Sequence, residues 1–149
     1  MTVKSRGALV VALAAMLAAG AAAGAQNADK FTARLGWVPI SGADRANVSG
    51  KGTATATLSG TKLAISGTFE GLAAPATVAR LHEGVAKAAR GPAIGDLVIS
   101  KGTSGTITGA IALTPEQLAS LKQGRLYVQV HSEKGVAPDG STLWGWLLR

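Results

Sequence analysis

The chain carries two histidines and no cysteine, so imidazole chemistry, whether metal ligation or proton transfer near neutral pH, rests on His82 and His131. His82 lies in Arg80-Leu81-His82-Glu83-Gly84, and His131 ends the run Gly124-Arg125-Leu126-Tyr127-Val128-Gln129-Val130-His131. Both runs read as strands, and both histidines stand where a strand gives way to a loop, the part of a β scaffold that usually carries function. His82 shares a strand face with Arg80 and Val78, and His131 shares one with Tyr127 and Gln129. If the two strands are neighbours, both imidazoles could meet at one sheet end.

Copper or zinc accepts two imidazoles, but structural zinc takes four protein ligands and catalytic zinc three. The nearby candidates for a third are Glu83, Glu133 and Asp139, with Glu83 closest in sequence to His82. Two histidines and a carboxylate would suit a copper or non-haem iron centre. Arg80 on the His82 face puts a cation beside such a site. The competing expectation is a pair of strand-end histidines bonded to loop backbone, and the shortage of ligands favours it.

Other chemistry finds less support. Glu70 and Glu83 could serve as acid and base, but no pattern brings them to one cleft. Ser132 follows His131 directly, so the two side chains leave a strand on opposite faces and cannot form a nucleophile–base pair. No Gly-x-Ser-x-Gly, phosphate loop or haem-attachment motif occurs. The aromatics suggest binding instead. Trp144 and Trp146 share a face of the last strand, while Leu143 and Leu147 take the other. With the aliphatic face as core, the second face would display Arg80, Tyr127, Gln129, Trp144 and Trp146, a composition typical of recognition surfaces. Alternatively, the tryptophans plug the end of the fold or lie under a loop.

The elements that must position these residues are short alternating segments punctuated by glycine, the pattern of an all-β sandwich or barrel. Strands are expected over residues 31–37, 52–58, 62–70, 77–83, 96–100, 106–113, 125–131 and 142–148, with a hairpin at Ser59-Gly60. One helix is expected near residues 114–123. Thr114 is its N-cap, Pro115 opens its first turn, Gln117 completes a capping box and Gly124 stops it.

Residues 1–25 read as a cleaved signal peptide. Lys4 and Arg6 precede a weakly hydrophobic Ala/Gly-rich stretch, and Ala23-Gly24-Ala25 suits cleavage before Gln26. The stretch is short for a membrane anchor, so no stable span is expected after cleavage. Residues 26–149 then form one domain, periplasmic or secreted. Removing Lys4 and Arg6 lowers the formal charge from +7 to +5. The remaining basic residues are scattered singly, which argues against a nucleic-acid partner.

Taken in order, these segments resemble the CHRD domain, a module named after chordin and common in exported bacterial proteins. The likeness runs from Phe31 to Arg149. It rests on Gly67-Thr68-Phe69-Glu70-Gly71-Leu72, the His82 segment, Gly91-Pro92, Leu113-Thr114-Pro115-Glu116-Gln117, the run ending in His131, and Trp144-Gly145-Trp146-Leu147. The resemblance implies an immunoglobulin-like or superoxide-dismutase-like antiparallel β-sandwich of about 7–9 strands in an extracytoplasmic setting, with no established catalysis. Members often have His-Ile-His where Arg80-Leu81-His82 stands, and Gly-Glu-Ile-Arg-Gly-Gln where Thr142-Leu143-Trp144-Gly145-Trp146 stands. The expectation is therefore an exported module that binds an extracytoplasmic protein or envelope component without turnover. The alternative is a copper, zinc or iron protein, or a redox accessory, built on His82 and His131.

Overall fold

A computed structural model describes residues 28–149. Eight strands form: β1 (Asp29–Trp37), β2 (Lys51–Ser59), β3 (Lys62–Glu70), β4 (Ala76–Glu83), β5 (Ala93–Ile99), β6 (Gly105–Ala112), β7 (Leu126–Val136) and β8 (Ser141–Trp146). One α-helix, α1 (Pro115–Lys122), joins β6 to β7, and a 3-10 turn (Gly42–Asp44) interrupts the loop after β1. The antiparallel all-β architecture and the short helix are as expected from the sequence pattern.

The layout differs from the expected sandwich. The strands close into a barrel in the order β1-β2-β3-β6-β5-β4-β7-β8. Closure comes from β1, which pairs with β2 through Leu35↔Gly52 and then with β8 at Gly36↔Trp144 and Trp37↔Leu143. A sandwich and a small barrel both demand period-two alternation, so the pattern does not separate them. Pairing between the first and last strands does. Gly145 permits it, because a Cβ there would lie 2.5 Å from the Arg34 carbonyl oxygen.

The interior is filled by alternate residues of every wall, among them Phe31 and Leu35, Leu63 and Ile65, Leu81, Ile107, Val128 and Leu143, all nearly free of solvent. Each such side chain contributes about 1.5–3 kcal/mol of burial. Outward positions on β1, β2, β3 and β6 are mostly polar, including Thr32, Arg34, Thr53, Ser66 and Thr108. An apolar inside and polar outside is the reverse of a membrane barrel's pattern. Among the described residues, no helix is long and apolar enough to cross a membrane. The proposed signal peptide, residues 1–25, and its junction with the domain lie outside the described residues.

Helix α1 closes one end. The Thr114 hydroxyl accepts from the Gln117 N–H, and Gln117 Oε1 accepts from the Thr114 N–H, completing the capping box. The helix is too short to stand alone and is held by Leu121, fully buried, with Leu118 packed on the core.

Candidate functional site

Because Leu126, Val128 and Val130 fill the barrel, Tyr127, Gln129 and His131 must point outward. All three are nonetheless buried, at 1%, 3% and 3% exposure. Two segments cover them: the loop of residues 84–92 between β4 and β5, and the far end of β7 with the turn of residues 137–140 leading into β8. Strand β7 is therefore buried on both faces over residues 126–132.

Register sets the order of side chains on this wall. His82 stands opposite Tyr127, which stands opposite Trp146. One row away, Arg80 faces Gln129, which faces Trp144. The rings are in mutual contact. His82 stacks on Tyr127 at 4.9 Å between centroids, Tyr127 lies 4.5 Å from Trp146 and 5.8 Å from Trp144, and the tryptophans are 5.7 Å apart. Trp144 and Trp146 are half-buried. The Arg90 guanidinium reaches over Trp144, 5.2 Å from its ring centre, a cation–π contact.

Gly91 locks the first loop onto this cluster. Its N–H donates to the Tyr127 hydroxyl and its carbonyl accepts from the same hydroxyl, each at 3.2 Å. The carbonyl also accepts from His82 Nδ1 at 3.0 Å. A carbonyl only accepts, so Nδ1 bears the proton and Nε2 is a lone pair. That Nε2 is buried without a partner. Burial lowers the His82 pKa below 6.5; the Gly91 carbonyl acts the other way, while His131 and Arg80 reinforce the lowering.

His131 sits in a closed ring of hydrogen bonds beneath the second loop. Its Nδ1 donates to the Asp139 carbonyl at 3.0 Å, and its Nε2 accepts from the Gln129 amide at 3.1 Å. The same amide donates to Ser141 Oγ at 2.9 Å, and that hydroxyl donates to Asp139 Oδ1 at 2.7 Å. Partial burial would raise the Asp139 carboxyl, but the bonds from the Ser141 hydroxyl and N–H hold it below its ordinary value of 3.8, helped by nearby His131.

The metal set His82, His131 and Glu83 does not assemble, which corrects that expectation. His82 pairs with Tyr127 and His131 with Val78, so the histidines are rooted four positions apart, roughly 13 Å of strand. The Arg80–Gln129 row lies between them, and the Gln129 amide occupies His131 Nε2. Glu83 points to the other face of β4, where it accepts from the Ser120 hydroxyl of α1. Glu133 is exposed, and Asp139 is engaged by Ser141. Among the described residues, no three His, Asp or Glu side chains are grouped to hold an ion.

Of the five residues expected to form a recognition face, the structure brings Tyr127, Gln129, Trp144 and Trp146 onto one wall, with the first two covered. Arg80 shares the wall but turns to Asp96 of β5, with Nε 2.9 Å from Oδ1. Sequence reasoning gave no role to Arg90 and met Gly91 only in the Gly91-Pro92 mark of the family resemblance. It also missed Ser141, which joins Gln129 to Asp139.

A family model for the CHRD domain matches residues 38–140, well over half of the chain. The chain belongs to the CHRD family. The match spans β2 to β7 with both covering loops, so His82, Arg90, Gly91, Tyr127, Gln129, His131 and Asp139 lie within it. Strand β1 and the two tryptophans of β8 fall outside that match, in a narrower span than the sequence likeness suggested. No curated protein and no solved structure gives a significant match. In this CHRD domain the two histidines pin the covering loops to the barrel wall.

Proposed function

We propose that this CHRD protein is an exported binding module that engages an extracytoplasmic protein or envelope component without turnover, through the wall of β4, β7 and β8. The observation that carries the reading is the aromatic cluster outside a barrel whose interior is already full. The interior closes with aliphatic residues and two phenylalanines. Trp144 and Trp146 are outside it and half-buried, with Arg90 laid across one of them. Tryptophan and arginine at a rigid, partly open surface are the residues that most often dominate recognition energy. The loop bonds to Tyr127 and His82 hold the cluster in one arrangement, which reduces the entropy lost on binding. The signal-like residues 1–25 and the scattered charge of the remainder support delivery across a membrane and a partner other than nucleic acid.

Site-specific photo-crosslinking in the producing cell tests this reading. A photoreactive residue at Val85, 72% exposed on the covering loop, should give a discrete crosslinked product. The same residue at Ser66, outward on β3 at the opposite wall, should not. Arg90→Ala and Trp144→Ala should each weaken the Val85 product several-fold with the barrel still folded. Equal products from Val85 and Ser66, or a Val85 product indifferent to both substitutions, would overturn the proposal.

A further inference from the structure

We infer that the end of β1, where Gly36 and Trp37 pair with β8, carries a second site on the β1–β2–β3 wall that binds a carboxylate-bearing saccharide. Strand β1 pairs with β2 only as far as Leu35↔Gly52, and Gly36 and Trp37 beyond it keep only their pairing with β8 on the other edge. Where the strands diverge, a cleft of about 540 Å³ opens, lined by Arg34, Gly36, Lys51, Thr53, Thr68 and Glu70 among others. A second cavity of about 350 Å³ shares Lys51 and Glu70 with it and continues to Gly50 and Gly71. Together they form an open groove suited to a chain-like ligand.

Trp37 borders the second cavity through Gly50. It is 52% exposed, yet its Nε1 donates to the Gly50 carbonyl at 2.9 Å, so the indole is held in place while about half of the residue's surface stays open to solvent. A fixed, exposed indole is a stacking platform for the C–H face of a pyranose ring, because the ring is flat, apolar and already ordered. The polar groups that line the adjoining cleft match the rest of a sugar. Lys51 and Glu70 lie 3.3 Å apart and are mostly exposed, free to exchange each other for hydroxyl groups. The Thr53 and Thr68 side chains add donors and acceptors on the same outer wall.

Arg34 sets the charge of the ligand. It is exposed and makes no ion pair or side-chain hydrogen bond among the described residues, leaving one uncommitted guanidinium beside a neutral pair. Its planar fork suits a carboxylate. A nucleic acid would call for several clustered cations, and an apolar peptide would leave this polar lining unpaired. Gly36 keeps the passage open, since nothing lies within 4 Å of where its Cβ would stand.

Calorimetric titration of the purified domain decides the matter. Three ligands of equal length serve: oligouronates, muramic-acid-containing peptidoglycan fragments, and neutral glucan oligosaccharides. At least one acidic arm should bind about tenfold or more tightly than the neutral one, and the arm that binds identifies the source. Trp37→Ala should weaken that binding about tenfold, and Arg34→Gln should erase the preference for acid over neutral. Gly36→Leu, whose Cβ would meet nothing within 4 Å, should block binding with the barrel still folded. The inference fails if neither acidic saccharide binds at millimolar concentration, if the neutral one binds equally, or if Gly36→Leu and Trp37→Ala both bind like the parent. Loss of saccharide binding in Arg90→Ala with Gly36→Leu unaffected would also overturn it, by moving the ligand to the other wall.

Discussion

Replacing Gly91 by alanine should unlatch the loop over the aromatic wall, and the expected loss can be built from its bonds. A Cβ at Gly91 would overlap the Glu83 carbonyl, so the loop must lift. Three attachments depend on its present position: the Glu83 N–H to the Pro92 carbonyl at 2.9 Å, His82 Nδ1 to the Gly91 carbonyl at 3.0 Å, and the paired Tyr127–Gly91 bonds at 3.2 Å. At about 1 kcal/mol net for each bond, the substitution should cost roughly 3–4 kcal/mol. For a domain of this size that is a fall of roughly 10–20 °C in melting temperature. Tyr127→Phe keeps the ring stack and removes only the hydroxyl, so it should cost roughly 1–2 kcal/mol. The two losses overlap, because a lifted loop no longer touches the hydroxyl. Guanidinium unfolding of the parent, both single variants and the double variant should therefore give a coupling of roughly 1–2 kcal/mol, with Tyr127→Phe nearly free in the Gly91→Ala background. Additive losses within about 0.5 kcal/mol would mean that the hydroxyl and the loop are energetically independent, and the latch would be refuted.

Two further outcomes follow from the same geometry. His82 titrates near 6.5 in an unfolded chain and lower in the fold, so above that pH both states are neutral and its contribution to stability is complete. As pH falls through 6.5, the unfolded chain takes up the proton first, and stability should decline until the folded imidazole also protonates. Unfolding free energy measured from pH 8 to pH 5 should drop more in the parent than in His82→Phe, which retains an aromatic ring against Tyr127; equal slopes would remove His82 as the cause. At the barrel end, Thr114→Ala should cost about 1 kcal/mol by deleting the helix cap and Leu121→Ala about 2–5 kcal/mol by leaving a cavity. Thermal melts that reverse this order would mean that α1 is not held chiefly by Leu121.

Much of the scaffold was legible because each strand must satisfy one local rule. Leu126, Val128 and Val130 alternate with Tyr127, Gln129 and His131, and alternation alone assigns the first set to the interior. The capping box of α1 was equally local, four residues long and complete in itself. Closure was not local. Whether β1 meets β8 depends on strand stagger and on the close approach at Gly145, and a sandwich would have produced the same alternation. The fate of Tyr127 was hidden for a related reason. Its outward direction follows from the pattern, but its 1% exposure depends on a loop that folds back against the wall, positioned by a glycine distant in sequence.

The histidines show where such reading stops and register takes over. His82 was rightly placed near the end of its strand, whereas β7 runs past His131 to Val136; the two strands do prove to be neighbours, and two imidazoles on adjacent strands suggest a common ligand. Antiparallel pairing runs the strands in opposite directions, however, so the C-terminal end of β4 lies beside the start of β7. A histidine late in β4 and one midway along β7 are consequently carried apart, with Arg80 and Gln129 between them. Each imidazole instead spends its Nδ1 proton on a carbonyl of the loop nearest to it, Gly91 for His82 and Asp139 for His131. The two residues resemble each other in chemistry because they do the same job at two places. One holds down each loop that frames Trp144 and Trp146, and a shared ion would require both latches to open.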